Sequence, residues 1–235
     1  MIQVGRITSA SRYPIKSMAA EPLETATVTL QGLAADRSYA FVQAESRSPF
    51  PWFTGREHHE ILRYQPTWSG DERPVLSVRT PSGAEIPVTS DELRKELEQA
   101  SGVPLFLLPN YRGSFDVAAI SLISHATVDR IAEASDTPSE PGRFRMNFVV
   151  ETQDGIPFGE DAWVGHTIRI GDSVRVAVTE RDPRCAMVTI APHGGDPLTP
   201  VLTAIAELND AKAGIYGSVL TPGEVRDGDL IVLED

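Results

Sequence analysis

The chain has 235 residues, which at about 150 residues per domain predicts one large domain or two small ones. Apolar residues make up 41%, enough for a sizeable core and too many for a disordered chain. Lys plus Arg against Asp plus Glu gives 21 − 33 = −12, so neither a nucleic acid nor an anionic membrane surface is an expected partner.

The first ninety residues read as short strands. Segment 23–31 (LETATVTLQ) alternates at Ala26, Val28 and Leu30. Segment 38–44 is rich in Tyr, Phe and Val, and 74–80 (PVLSVRT) alternates before a Pro81-Ser82-Gly83 turn. Between them, 46–68 carries Phe50, Trp52, Phe53 and Trp68 and reads as a long loop with one helical turn. Segment 90–102 is the clearest helix: Ser90 caps it, Asp91 and Glu92 favour its positive end, and Gly102 stops it. A short strand follows at 105–108. Further helices are predicted at 124–134 and 199–208. Strands are predicted at 144–151, 167–170, 174–179 and 187–190, and two more between Gly214 and Leu233 joined through Pro222-Gly223. The reading is mainly β with a few helices, divided into a β-rich unit over 1–90 and a β-barrel-like unit over 91–235.

One cysteine, Cys185, excludes an internal disulfide and any Cys-rich zinc or iron–sulfur site. It lies in Arg181-Asp182-Pro183-Arg184-Cys185. A lone cysteine is often a small buried hydrophobe. Flanking arginines favour the thiolate, which is a nucleophile and a soft-metal ligand. In Tyr13-Pro14-Ile15-Lys16-Ser17-Met18, a scarce lysine beside a serine suits an oxyanion, or is an ordinary solvated loop lysine. Asp36-Arg37 reads as a surface ion pair after a turn. Segment 143–147 reads as a strand with Arg143, Arg145 and Asn147 on one face, an anion site if that face lines a cleft. Asp161 and Trp163 either shape a pocket or pack, and the bulk of Trp163 favours packing. His58, His59, His125, His166 and His193 lack metal spacing, and no HExxH, GxSxG or P-loop pattern occurs. The longest apolar run, 103–109, is far below the about 20 residues that span a bilayer, and the N-terminus carries no apolar leader. A cytoplasmic location is expected.

Seven segments in order, YPIKSM, GLAADRSYAFV, AISLIS, RFRMNFVVE, PFGEDAWVGHTIRIGD, RDPRCAMVTI and GIYGSVLTPGEVRDGDLIVL, span nearly the whole chain. Together they resemble the MOSC family, in the form that joins an N-terminal β-barrel region to the MOSC domain. The mitochondrial amidoxime-reducing component is of that form. The resemblance implies a molybdenum cofactor, a pterin whose metal takes Cys185 as its protein ligand and catalytic residue. It implies that Lys16, Ser17, Arg37, Ser121, Arg145 and Asn147 contact the pterin and its phosphate, with Arg143 and Arg184 behind them. The family also carries an association with pyridoxal phosphate. The implied reaction is two-electron reduction of small N-hydroxylated substrates, with electrons from a separate electron-transfer protein. The alternative is a non-catalytic carrier of molybdenum cofactor or of sulfur through Cys185.

Overall fold

In a computed structural model of the chain, residues 1–69 and 75–234 are described. The first half runs β1 (Ile2–Arg12), β2 (Glu21–Leu23), β3 (Thr25–Thr29), β4 (Gly32–Leu33), β5 (Tyr39–Gln43), β6 (Gln65–Ser69), β7 (Val75–Arg79), β8 (Glu85–Pro87), α1 (Asp91–Ser101) and β9 (Leu105–Pro109). The second runs β10 (Ile120–Ser124), α2 (His125–Ser135), β11 (Phe148–Thr152), β12 (Thr167–Ile170), β13 (Val174–Pro183), α3 (Thr199–Asn209), β14 (Lys212–Thr221), β15 (Gly223–Arg226) and β16 (Leu230–Glu234).

The order β11-β10-β14-β13-β12-β16-β1, with β1 paired back onto β11, closes a seven-stranded barrel. All its pairings are antiparallel except β10–β11. Closure leaves no free edge along the barrel. The alternating residues of β12 and β13 put Ile168, Ile170, Val174, Val176 and Val178 inside, against Ile7, Leu122, Phe148 and Ile215. A second core forms around β5–β9 and β6–β7–β8, where Ile15, Phe41, Phe53, Leu93, Leu97 and Leu105 are buried together. Truncating a buried leucine such as Leu93 to alanine costs about 2–5 kcal/mol at such a site.

The halves are interleaved. β1 comes from the start of the chain but completes the barrel of the second half, and β15 near the end pairs with β3. The predicted divide at residue 90 falls too early. α1 and β9 bury Leu93, Leu97 and Leu105 in the first-half core, and β9 is the strand partner of β5.

All three predicted helices form. Ser90 Oγ accepts from the Leu93 N–H, and Gly102 ends α1 at φ 73. Ser124 Oγ caps α2 by accepting from the Thr127 N–H at 3.1 Å. Four strand expectations are corrected. Segment 23–31 is two strands, because β2 pairs with β1 and β3 with β15. Residues Pro141–Phe144 form a 3-10 turn and Arg145 turns left-handed, so 143–147 is no strand and its three polar residues share no strand face. Ala186–Thr189 is likewise a 3-10 turn. The C-terminal region holds three strands, β14, β15 and β16, not two. Segment 46–68 contains the expected short turn, at His59–Arg63, and also most of β6, where Trp68 lies. The first residue of the predicted 74–80 strand, Pro74, lies outside the described residues. Trp163 packs in the barrel core.

Candidate functional site

Cys185 follows β13 and starts the 3-10 turn Ala186–Thr189. It is exposed at a cleft also lined by Lys16, Ser17, Arg37, Arg143, Arg145 and Arg184. Residues 16–37 come from the first half and 143–185 from the second, so the two halves meet here.

Two arginines lock the cysteine turn in place. Arg184 donates to the Ala213 carbonyl at 2.8 and 2.6 Å and to the Phe144 carbonyl at 3.0 Å. It also pairs with Asp182 at 2.8 Å. On the far side of the turn, buried Arg143 donates to the Thr189 carbonyl at 3.1 Å and pairs with Glu140 at 2.5 Å. Their donors are engaged with backbone, so both orient Cys185 before they meet any ligand. Arg181, expected beside the thiol, turns away toward Asp161 and Asn209. From the other half, Gly55 packs against the same turn. A Cβ there would lie 2.6 Å from Leu62 Cδ1 and 3.1 Å from Met187 Cε, so a larger residue would have to displace the ends of those two side chains.

Lys16, Arg37 and Arg145 form the cationic wall. Lys16 is only 6% exposed. Its Nζ donates to the Ser114 carbonyl at 2.7 Å and to Asp116 at 2.5 Å, and it faces the rings of Phe50 and Trp52. It is therefore no solvated loop lysine. Arg37 donates to buried Asp36 at 2.5 Å and to the Arg145 carbonyl at 2.9 Å. The Asp36–Arg37 pair thus lies inside the protein rather than on its surface. Both guanidinium groups stack on the Tyr13 ring, at 4.7 and 4.4 Å from its centre.

The backbone here is unusual. Ser17, Arg37 and Arg145 have φ of 69, 48 and 56. The left-handed region costs a non-glycine residue about 1 kcal/mol or more and is kept where its surroundings impose it, often at functional sites.

Ser121 and Asn147 are placed differently. Both are buried and bonded to each other: Asn147 Oδ1 accepts from the Ser121 N–H and Oγ at 3.1 Å, while Asn147 Nδ2 donates to Asp36 at 2.9 Å. They brace Asp36, and through it Arg37, from behind; neither lines the cleft.

The cleft has further walls that sequence reasoning did not single out: Phe50, Thr54, Arg56, Asp116, Asp182, Met187 and Tyr216. Asp182 and Tyr216 sit inside the quoted motifs RDPRC and GIYGSV. Phe50, Arg56 and Asp116 come from irregular segments that carry no local signal. Asp182 is 1% exposed, and its Oδ2 has no hydrogen bond although Arg184 lies beside it. Six cationic side chains face two carboxylates, in a protein of net charge −12.

Burial sets the protonation of this wall. It pushes Lys16 below its ordinary value, opposed by Asp116. It brings Arg145 down to about 10, with Arg37 adding repulsion. On Arg37 burial also works against the charge, but the Asp36 carboxylate and other neighbours outweigh it and the net shift is upward. Burial lifts Asp182 to about 6 against the pull of Arg184, and lifts Tyr216 with help from Asp182. Lys16 and Arg145, whose charged forms burial disfavours, would both be stabilised by an anionic ligand.

The donor set fits a phosphate-bearing pterin with a soft metal: two guanidinium groups and an ammonium for the anion, and a thiol at the opening for the metal. The cleft is narrow, about 100 Å³, with the Lys16–Asp116 pair in its wall. Among the described residues no cluster of three or more His, Cys, Asp or Glu could hold a metal ion. No described helix is long and apolar enough to cross a membrane.

Comparison with known proteins agrees with this architecture. The family model for the MOSC N-terminal beta barrel domain matches residues 4–107, and that for the MOSC domain matches residues 111–232. The YuaD protein from Bacillus subtilis shares the fold with a TM-score of 0.51 at 14% identity, over 97% of this chain and 94% of that one. YiiM from Geobacillus stearothermophilus gives a TM-score of 0.41 at 17% identity, over 73% of this chain and 72% of that one. No curated protein matches the chain. The chain belongs to the MOSC domain family, with a MOSC N-terminal beta barrel domain ahead of the MOSC domain.

Proposed function

We propose that this protein is a molybdenum-cofactor-dependent reductase of N-hydroxylated compounds that draws its electrons from a separate redox protein. MOSC domains are associated with molybdenum cofactor binding. The observation that carries the reading is the convergence of Lys16, Arg37 and Arg145 on the same cleft as Cys185, from both halves of the chain.

The bound cofactor supplies the two-electron chemistry. The chain's own residues hold and tune it. Cys185 provides the thiolate for the metal, on a turn fixed from both sides by Arg184 and Arg143. Lys16, Arg37 and Arg145 take the phosphate through charge-assisted bonds, and Lys16 exchanges Asp116 for it. Asp182, lifted by burial to about 6, holds a proton at its carboxylate below about that pH. In balance, a substrate R–NH–OH takes up two electrons and two protons; its N–O bond breaks and R–NH₂ and water leave.

The exposure of Cys185 also favours a second reading, a carrier that hands on cofactor or persulfide sulfur through its thiol. One experiment separates the two. Protein purified with its cofactor is supplied with a reduced dye and benzamidoxime. Turnover supports the reductase; transfer of cofactor or sulfur to an acceptor without turnover supports the carrier.

A further inference from the structure

Beside the Cys185 cleft lies a larger hollow of about 700 Å³, floored by Ala186, Ile190, Pro197, Leu202 and Ala206 and rimmed by Arg56. It lies along α3 and takes one wall from the cysteine turn. The two spaces share a lining residue. Arg56 lines both, and its guanidinium lies 4.4 Å from the centre of the Phe50 ring, itself a wall of the cleft. Ala186, the residue after Cys185, presents only a methyl group.

We infer that this groove seats the apolar body of the substrate while its reducible N–O end reaches the opening at Cys185. The inference rests on the reductase reading for where that end lies. Three observations support it. The cleft, at about 100 Å³ and lined by six cationic side chains, suits an anion rather than an apolar group. The groove has the size and the mainly apolar lining of a small-molecule site. Its small residues, Ala186, Thr203 and Ala206, keep it open where larger side chains on α3 would fill it. A redox protein docks over a broad surface rather than into a concavity of this size. The ligand class is therefore an uncharged aryl or alkyl chain carrying an N-hydroxylated group at one end.

The test is calorimetric binding of acetamidoxime and of benzamidoximes bearing para-methyl to para-butyl chains, to cofactor-loaded protein without reductant. Wild-type protein should bind about fourfold more tightly per added methylene. Ala206→Trp fills the groove from an exposed position and should abolish that slope while leaving acetamidoxime unchanged. Thr203→Trp, also exposed, is the second variant, with thermal melting to show that each is folded. A flat series in wild-type protein, or a slope that survives both tryptophans, overturns the inference. So does a variant whose only defect is a raised KM for the electron-donor protein, which would make this face the donor's. Because binding is read without turnover, a protein that shows the slope but never reduces amidoximes keeps the groove and loses the reductase reading.

Discussion

Replacing Arg145 and Arg37 separately by alanine should give different outcomes, although both face the same cleft. Burial brings Arg145 down to about 10, so holding its charge in the cleft costs about 3 kcal/mol. Its removal relieves that cost and loses one bond to the Met18 carbonyl and the stacking on Tyr13. These effects offset each other, so Arg145→Ala should fold with nearly normal stability. Its cofactor loses a charge-assisted partner worth about 1.5–3 kcal/mol, or about ten- to a hundredfold in retention. Arg37 is different. It neutralises Asp36, whose carboxylate is fully buried and keeps only the Tyr13 N–H and Asn147 Nδ2 as donors. Stranding a buried charge costs about 3–5 kcal/mol, or a Tm lowered by about 6 °C or more in a chain of this size. Arg226→Ala is the control, since its pair with Glu224 is exposed and worth about 0–1 kcal/mol. Molybdenum and pterin per chain, with a thermal melt, should show Arg145→Ala folded but depleted, Arg37→Ala depleted and destabilised, and Arg226→Ala normal. Equal cofactor content in Arg145→Ala and Arg226→Ala would refute the assignment of the cleft.

Cys185→Ala and Cys185→Ser should both fold, because the side chain is exposed, and both should lose metal and activity, because a serine hydroxyl is a harder and far less acidic ligand; wild-type turnover in the alanine variant would contradict the ligand role. Asp182 makes a pH prediction. A buried carboxyl raised from 3.8 to about 6 binds its proton more tightly when folded. Relative to Asp182→Asn, the cofactor-free wild type should therefore be most stable below about pH 4, lose about 3 kcal/mol as pH rises to about 6, and stay level above. A difference that is constant across that range in denaturant titrations would show Asp182 unperturbed. NADH alone should not support amidoxime reduction, because the chain has one cysteine and no dinucleotide fingerprint; robust NADH-driven turnover by the purified chain would overturn this.

The helices were legible because their signals are local. Ser90, Gly102 and Ser124 act within one turn of their own positions. The cysteine turn and segment 143–147 were not. Met187–Ile190 is too short an apolar run to tell a strand from a 3-10 turn. In Arg143–Asn147 the alternation of arginine with Phe144 and Met146 imitates a strand, while the preceding Pro141-Gly142 starts a tight turn. Four of these five residues are buried, which no alternating strand with one wet face would give. Asp36-Arg37 looked like a surface pair because its partners, Tyr13, Asn147 and the Arg145 carbonyl, are distant in sequence. The same holds for the cleft. Its motifs could be recognised one by one, but the separation of Ser121 and Asn147 from its wall, and the arrival of Phe50 and Arg56 on it, depend on how the two halves interleave.

The central claim is that the cleft holds a molybdenum cofactor through Cys185. Elemental and pterin analysis of wild-type and Cys185→Ala protein, both expressed in cells replete in the cofactor, tests it most directly. The account predicts stoichiometric molybdenum and pterin in the wild type and loss of the metal in the variant. A wild-type protein free of molybdenum, or a variant that retains it fully, would contradict the account.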